Sequence, residues 1–231
     1  GDAIRTLHTN TATGYSFPSG HTQNAVGTFG GIARATKRHC LRWVCVVIFV
    51  LVSFSRMYLG VHTPLDVGVS FVIAAVLVFA IYPLMRRADR YPRLMAGLLA
   101  SMVLLSAAYL TFTLVYPFPP DIDSVNLASG VENGWKLLGA TLGIALAWWL
   151  DRQYVHFETK AVWWVQAIKF IVGLALVVAL KAGLKAPLIA LFGGSAGLAG
   201  AVRYFLVVLA AGVLWPMAFR PLSRLGQRGE G

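Results

Sequence analysis

Charge is what this chain mostly does without. Asp, Glu, Lys and Arg make up 13% of its 231 residues while 58% are apolar, and an ordinary soluble domain carries roughly 25% charged residues. That balance excludes a water-soluble globular fold and points to a membrane protein. Cysteine is nearly absent as well: Cys40 and Cys45 stand five positions apart on one helical stretch, so they point to different faces and should not pair. Neither a disulfide framework nor a metal site is implied. An internal repeat is also missing. So are an initiator Met and the charged-then-apolar pattern of a signal peptide at the opening GDAIRTLH. The expectation is that this start is interior to a longer protein.

Long apolar runs stand in place of charge. Leu41 to Tyr58, Thr63 to Leu84, Leu94 to Tyr116, Trp135 to Leu150, Ala161 to Leu180 and Arg203 to Phe219 approach the roughly 20 residues that a bilayer-spanning helix needs. Thr22 to Ala35 is a shorter, Gly- and Ala-rich seventh. The expected fold is all-α, a polytopic transmembrane helical bundle of about seven membrane helices. Pro117, Pro119 and Pro120 with Asp121 and Asp123 make the longest polar break. The expected domains are therefore a core over 1–116, an outer loop over 117–133, and additional membrane helices with a basic tail over 134–231. Ala186 to Gly200, with its LFGGSAGLAG, reads as a loop or short re-entrant element.

The net charge of +11 does not describe a nucleic-acid binder, because the basic residues are dispersed in the gaps between apolar runs. Arg34, Lys37, Arg38 and Arg42 fill one gap, Arg86, Arg87, Arg90 and Arg93 another, Arg152 and Lys160 a third, and Arg220, Arg224 and Arg228 the tail. With alternating helices these segments share one side, which the positive-inside rule makes cytoplasmic. Pro117 to Gly134 holds Asp121, Asp123 and Glu132 and no Lys or Arg. The opposite side, outside a plasma membrane, then carries that loop, the stretch GYSFPSGH at 14–21 and the turn from Arg56 to His62.

Those last two stretches carry the chemistry. Ser19, Gly20 and His21 precede a helix, and SRMYLGVHTPLD spans Ser55 to Asp66 at the end of one helix and the start of the next. One helical hairpin separates them, which returns the second to the side of the first. Two imidazoles, a guanidinium, a carboxylate and a helix start would then converge on one face. A helix N-terminus favours an anion, Arg offers phosphate a two-pronged donor, and a His beside a carboxylate has one nitrogen fixed as donor and the other free to attack.

PSGH followed by SRxxxxxHxxxD resembles the second and third signature motifs of the type 2 phosphatidic acid phosphatase family, relatives of bacterial acid phosphatases and vanadium haloperoxidases. Ser55, Arg56, His62 and Asp66 fill every fixed position of the third motif. The resemblance implies that His62 attacks phosphorus, that Asp66 holds its ring and stabilises the imidazolium, and that His21 protonates the leaving oxygen and later activates water. It implies phosphate binding by Ser19, the Gly20 backbone and Arg56, with no metal and no cofactor. The family's first motif, KxxxxxxRP, has no counterpart in residues 1–18, and Arg220-Pro221 has Val213 where the Lys would stand. We expect that motif upstream of Gly1. The likeness is specific over residues 14–66.

Plainer readings stand beside these. Thr63, Pro64 and Asp66 also form a good helix start, with Thr63 as N-cap and Asp66 in a capping box, and Ser19 reads as an N-cap. Gly27, Gly30 and Gly31 read as close-packing positions, Trp148, Trp149, Trp163 and Trp164 as interfacial belts, and His8, His39 and His156 as solvated. Lys169 and Arg203 sit in or at the edge of apolar runs, where snorkelling competes with function. The function implied is a membrane-embedded lipid phosphate or lipid diphosphate phosphatase, acting on a substrate such as a polyprenyl diphosphate, phosphatidate or phosphatidylglycerol phosphate. Its partners are then the lipid substrate and the bilayer, with homo-oligomerisation left open. A lipid phosphotransferase of the same fold and a catalytically silent lipid-binding or transport protein are the alternatives.

Overall fold

The computed structural model describes residues 18–88, 90–157, 161–219 and 221–222. The expected outer segment through Phe17, with His8, lies outside them, as do Lys160, Arg220, Arg224 and Arg228. Among the described residues the regular structure is entirely helical. The chain divides into two compact units, residues 1–95 and 96–231.

The first unit opens with α1 (Gly20–Ala25), a π-helical turn (Val26–Gly30) and α2 (Gly31–Ala35). Val26 and Gly31, the residues that follow the first two segments, keep right-handed helical dihedrals, so residues 20–35 form one rod of roughly 24 Å at 1.5 Å per residue. Gly27, Gly30 and Gly31 give the rod little bulk, and it lies against both α3 (His39–Tyr58) and α4 (Pro64–Ala88). Such small residues let helix backbones approach where no hydrophobic force drives association. Phe49 and Phe71 meet edge-to-face at 5.7 Å and tie α3 to α4. Trp43, Val47, Leu51, Val72 and Val76 are exposed, as expected of helices whose outer faces meet lipid.

The second unit holds most of α5 (Pro92–Val115), then α6 (Ser124–Leu150), α7 (Trp163–Gly183), α8 (Lys185–Leu191), α9 (Ala196–Leu209) and α10 (Trp215–Met217). Its tightest contact joins α6 to α9: a methyl group added at Gly139 would collide with the Ala201 backbone, and one at Gly143 would stand 3.0 Å from Val208 Cβ. Ser106 of α5 and Thr141 of α6 share a hydroxyl–hydroxyl bond of 2.9 Å.

Among the described residues five helices are long and apolar enough to cross a membrane: α3, α4, α5, α7 continued by α8, and α9 continued through α10. Of the seven stretches read from the sequence, the remaining two differ for physical reasons. The 20–35 rod is shorter than the ~30 Å hydrocarbon core. Helix α6 begins at Ser124 rather than Trp135 because Asp123 caps it, accepting from Val125 N at 2.9 Å. Its first turns therefore carry Asn126, Glu132, Asn133 and Lys136. Of the two readings of Ala186 to Gly200, a loop or a short re-entrant element, the loop is corrected: helices cover most of the stretch, and the break shrinks to Phe192–Ser195. Gly193 and Gly194 make that turn possible with φ of 59° and 87°, which side chains disfavour. Beyond it Gly197 belongs to α9, whose close approach to Trp135 leaves no room for a larger residue.

Candidate active site

Two short segments of the first unit build the site. The first is the start of α1. Ser19 occupies the N-cap position with extended dihedrals, yet its side chain makes no cap bond; instead Thr22 Oγ1 donates to Ser19 Oγ at 3.1 Å. Both residues are fully buried. Gly20 is exposed, and no described side chain comes within 4 Å of where its Cβ would be, so its backbone is open to approach.

The second segment is the turn from α3 into α4. Leu59 N donates to Ser55 O at 3.0 Å and Gly60 N to Met57 O at 3.0 Å, and Gly60 at φ 67° reverses the chain. Helix α4 then starts with the capping box read from the sequence. Thr63 N donates to Asp66 Oδ2 at 2.8 Å while Asp66 N donates to Thr63 Oγ1 at 3.2 Å, which satisfies two donors reciprocally. The Ser55 hydroxyl is spent on Val52 O at 2.7 Å.

Asp66 is the joint between the segments. It is 6% exposed, and its backbone oxygen accepts from Ser19 N at 3.5 Å and from Ser70 Oγ at 2.8 Å. His62 Nδ1 lies 3.9 Å from Asp66 Oδ2, within ion-pair range and beyond hydrogen-bond distance. That nitrogen and Arg56 Nε are both buried and lack a hydrogen-bond partner among the described residues. His21 is exposed in the first turn of α1. Its pKa lies below the ordinary 6.5, first because partial burial penalises the imidazolium and then because the charges of Arg56 and His62 oppose it.

Of the residues singled out in the sequence, Ser19, Asp66 and His62 are linked by the contacts above, and His21 feels the field of Arg56 and His62. Two contributors went unread: Thr22 and Ser70, both fully buried. Their signal was the spacing, since Thr22 follows Ser19 by three positions and Ser70 follows Asp66 by four, which places each pair on one helical face. Chemically, the cluster offers an imidazole beside a carboxylate, a second imidazole biased towards its neutral form, and a guanidinium with a donor to spare. The Arg56 guanidinium keeps a buried N–H without an acceptor among the described residues, which a bound oxyanion would satisfy.

A polytopic helical membrane protein is the class this architecture defines. Two family models agree with it: one described as the PAP2 superfamily matches residues 2–90, and one described as "PAP2 superfamily phosphatase, transmembrane extension" matches residues 135–228. The chain belongs to the PAP2 superfamily, the type 2 phosphatidic acid phosphatase family that its motifs resemble. Undecaprenyl-diphosphatase BcrC of Bacillus subtilis (strain 168) is 36% identical to it over 67 residues, 29% of this chain and 34% of that relative. The chain thus spans about a third of the relative's length. No solved structure matches the chain.

Proposed function

We propose that this protein is a membrane-embedded phosphatase that removes phosphate from a lipid phosphate or lipid diphosphate, with His62 as nucleophile. The observation that carries the reading is the grouping of His62, Asp66, Arg56 and His21, with His62 Nδ1 and Arg56 Nε buried and unpartnered among the described residues. A ring nitrogen of His62 attacks phosphorus, the bond from phosphorus to the leaving oxygen breaks, and His21 gives that oxygen its proton. In the second half, His21 takes a proton from water, the resulting oxygen attacks the phosphohistidine, and inorganic phosphate leaves.

Asp66 stabilises the imidazolium that forms on His62. The 3.9 Å separation has to shorten for this, and catalytic hydrogen bonds commonly tighten only when substrate is bound. Arg56, Ser19 and the open backbone of Gly20 hold the phosphoryl oxygens as charge builds on them. A lipid substrate is supported by Tyr58 and Leu65, 73% and 70% exposed beside the site, which give the tail an apolar neighbourhood. Similarity to an undecaprenyl-diphosphatase favours a polyprenyl diphosphate. The basic turn from Arg34 to Arg42, at the far end of the 20–35 rod, supports a cytoplasmic position for that end and a site at the outer face of a plasma membrane.

The test is acid quench of the full-length protein with radiolabelled substrate. An acid-labile, base-stable phosphate adduct is expected, and His62→Ala should abolish both the adduct and turnover, a loss of at least about 10⁴-fold. An adduct that persists in His62→Ala would overturn the assignment.

A further inference from the structure

The far end of the first unit poses a charge problem that the reaction does not use. Arg34, Lys37, Arg38 and Arg42 lie within nine residues around the turn from α2 to α3, and Arg86 and Arg87 end α4. Among the described residues of this unit Asp66 is the sole carboxylate, and it stands at the opposite end of α4, about 30 Å from Arg86 along the helix.

The arginines there are not equivalent. Arg42 is committed to the fold: its Nε donates to Ala33 O at 3.2 Å and its Nη2 to Thr36 O at 3.1 Å, which fastens the end of α2. Arg34 is held differently. Its guanidinium stands over the rings of Phe79 and Tyr82, at 4.5 and 5.2 Å from their centroids. Its Nε is buried and has no hydrogen-bond partner among the described residues. Ring faces orient and shield a cation but accept no hydrogen bond of ordinary strength. The side chain is positioned, charged and short of an acceptor.

Arg34 and Arg42 also sit at one end of a cavity of about 490 Å³ whose other walls are apolar, among them Val46, Phe49, Phe71, Ala75 and Val78. It lies between the 20–35 rod and the α3–α4 pair. An inorganic anion would satisfy the arginine and leave the apolar wall unused. A neutral lipid would do the reverse.

We propose that this groove binds an anionic phospholipid, with the phosphate on Arg34 and one acyl chain along Val46, Phe49, Phe71 and Val78. The site is separate from the reaction centre: Arg34 stands thirteen positions along the helical rod from His21, about 20 Å. Basic pockets between membrane helices on the cytoplasmic side suit such head groups, each cation near the surface contributing about 1 kcal/mol. The lipid phosphate supplies the acceptor that Arg34 Nε lacks among the described residues, and the acyl chain fills the seam between the helices.

Phosphatidylglycerol is the probe, being a phosphodiester and so distinct from the phosphate monoesters or diphosphates of the proposed reaction. Full-length protein carrying His62→Ala, which removes turnover from the measurement, is titrated with phosphatidylglycerol or phosphatidylcholine in detergent and examined by native mass spectrometry. Phosphatidylglycerol should be retained in preference. Arg34→Gln should lower that retention at least about fivefold. Val46→Trp, which fills the groove and leaves every charge in place, should lower it as well. Equal retention of both lipids, or retention unchanged in Arg34→Gln, would overturn the proposal. Displacement by glycerol 3-phosphate at the concentration at which the lipid binds would also overturn it, by showing a bare anion site. None of these outcomes depends on whether His62 is the nucleophile.

Discussion

In the first unit the fully buried side chains at the starts of α1 and α4 are the hydroxyls of Ser19, Thr22 and Ser70, beside the Asp66 carboxylate. In the second, the closest helix contact is made by residues with almost no side chain, Gly139 and Gly143 of α6 against Ala201 and Val208 of α9. A buried polar group left unpaired costs about 1–3 kcal/mol, so the first arrangement persists only because each hydroxyl and the Asp66 carboxylate has found a partner. The glycine contact costs little and gains dispersion from backbones drawn close. At these two places burial holds polar groups in position in the first unit and draws helix backbones together in the second. Substitutions in the first should therefore be read in rate, and those in the second in stability.

The sharpest way to break this contrast is His21→Ala, examined by rate and by thermal unfolding together. Because His21 is exposed, its removal should hardly move the unfolding temperature. Turnover of a lipid alcohol ester should fall by about 10²–10⁴-fold, the usual worth of general-acid help. An aryl phosphate, whose leaving oxygen is already stable, should lose much less. Equal losses on both substrates, or a large fall in unfolding temperature with little change in rate, would remove His21 from the role of acid.

Next in size is Gly139→Leu. The new side chain has the Ala201 backbone in its way, and overpacking of this kind typically costs about 1–3 kcal/mol. The protein should inactivate at lower temperature while the rate per folded molecule stays near that of the parent. Gly139→Ala should fall between the two. A rate lost at unchanged stability would mean that the second unit takes part in the chemistry.

How far the sequence revealed this division depended on how local each cause was. The capping box at Thr63 and Asp66 is local, and both its bonds are present. The grouping of His21 with Arg56 and His62 needed only the fact that a hairpin returns the chain to its starting side. Ser19 was half legible: the N-cap position is right, but its hydroxyl bonds Thr22 rather than a helix amide, because the first turn of α1 carries a second hydroxyl three positions on, on the same face. The π-helical turns at Val26–Gly30, Asp151–Val155 and Ala210–Leu214 had no signature, since a wide turn reflects packing by neighbours rather than propensity. Gly139 and Gly143 stood in the sequence at a spacing that brings helices together. Nothing local identified α9 as their partner.

The smallest expected effect sharpens the contrast from the side of electrostatics. His21 titrates below 6.5 because partial burial, Arg56 and His62 all favour its neutral form, burial most. The unfolded chain therefore takes up a proton first as pH falls through 6.5. Stability contributed by this group is full above 6.5 and declines as pH drops from there towards the folded-state pKa. Arg56→Gln removes the second cause and leaves the first, so the titration midpoint of His21 should rise yet remain below 6.5. Inorganic phosphate bound beside Arg56 should raise it too, by placing negative charge near the ring, and this would load His21 with its proton when a leaving group needs one. Histidine-labelled full-length protein in micelles, followed by NMR across this pH range, measures both shifts. A midpoint that does not move in Arg56→Gln would separate His21 from Arg56, and the first unit would then hold two polar clusters instead of one reaction centre.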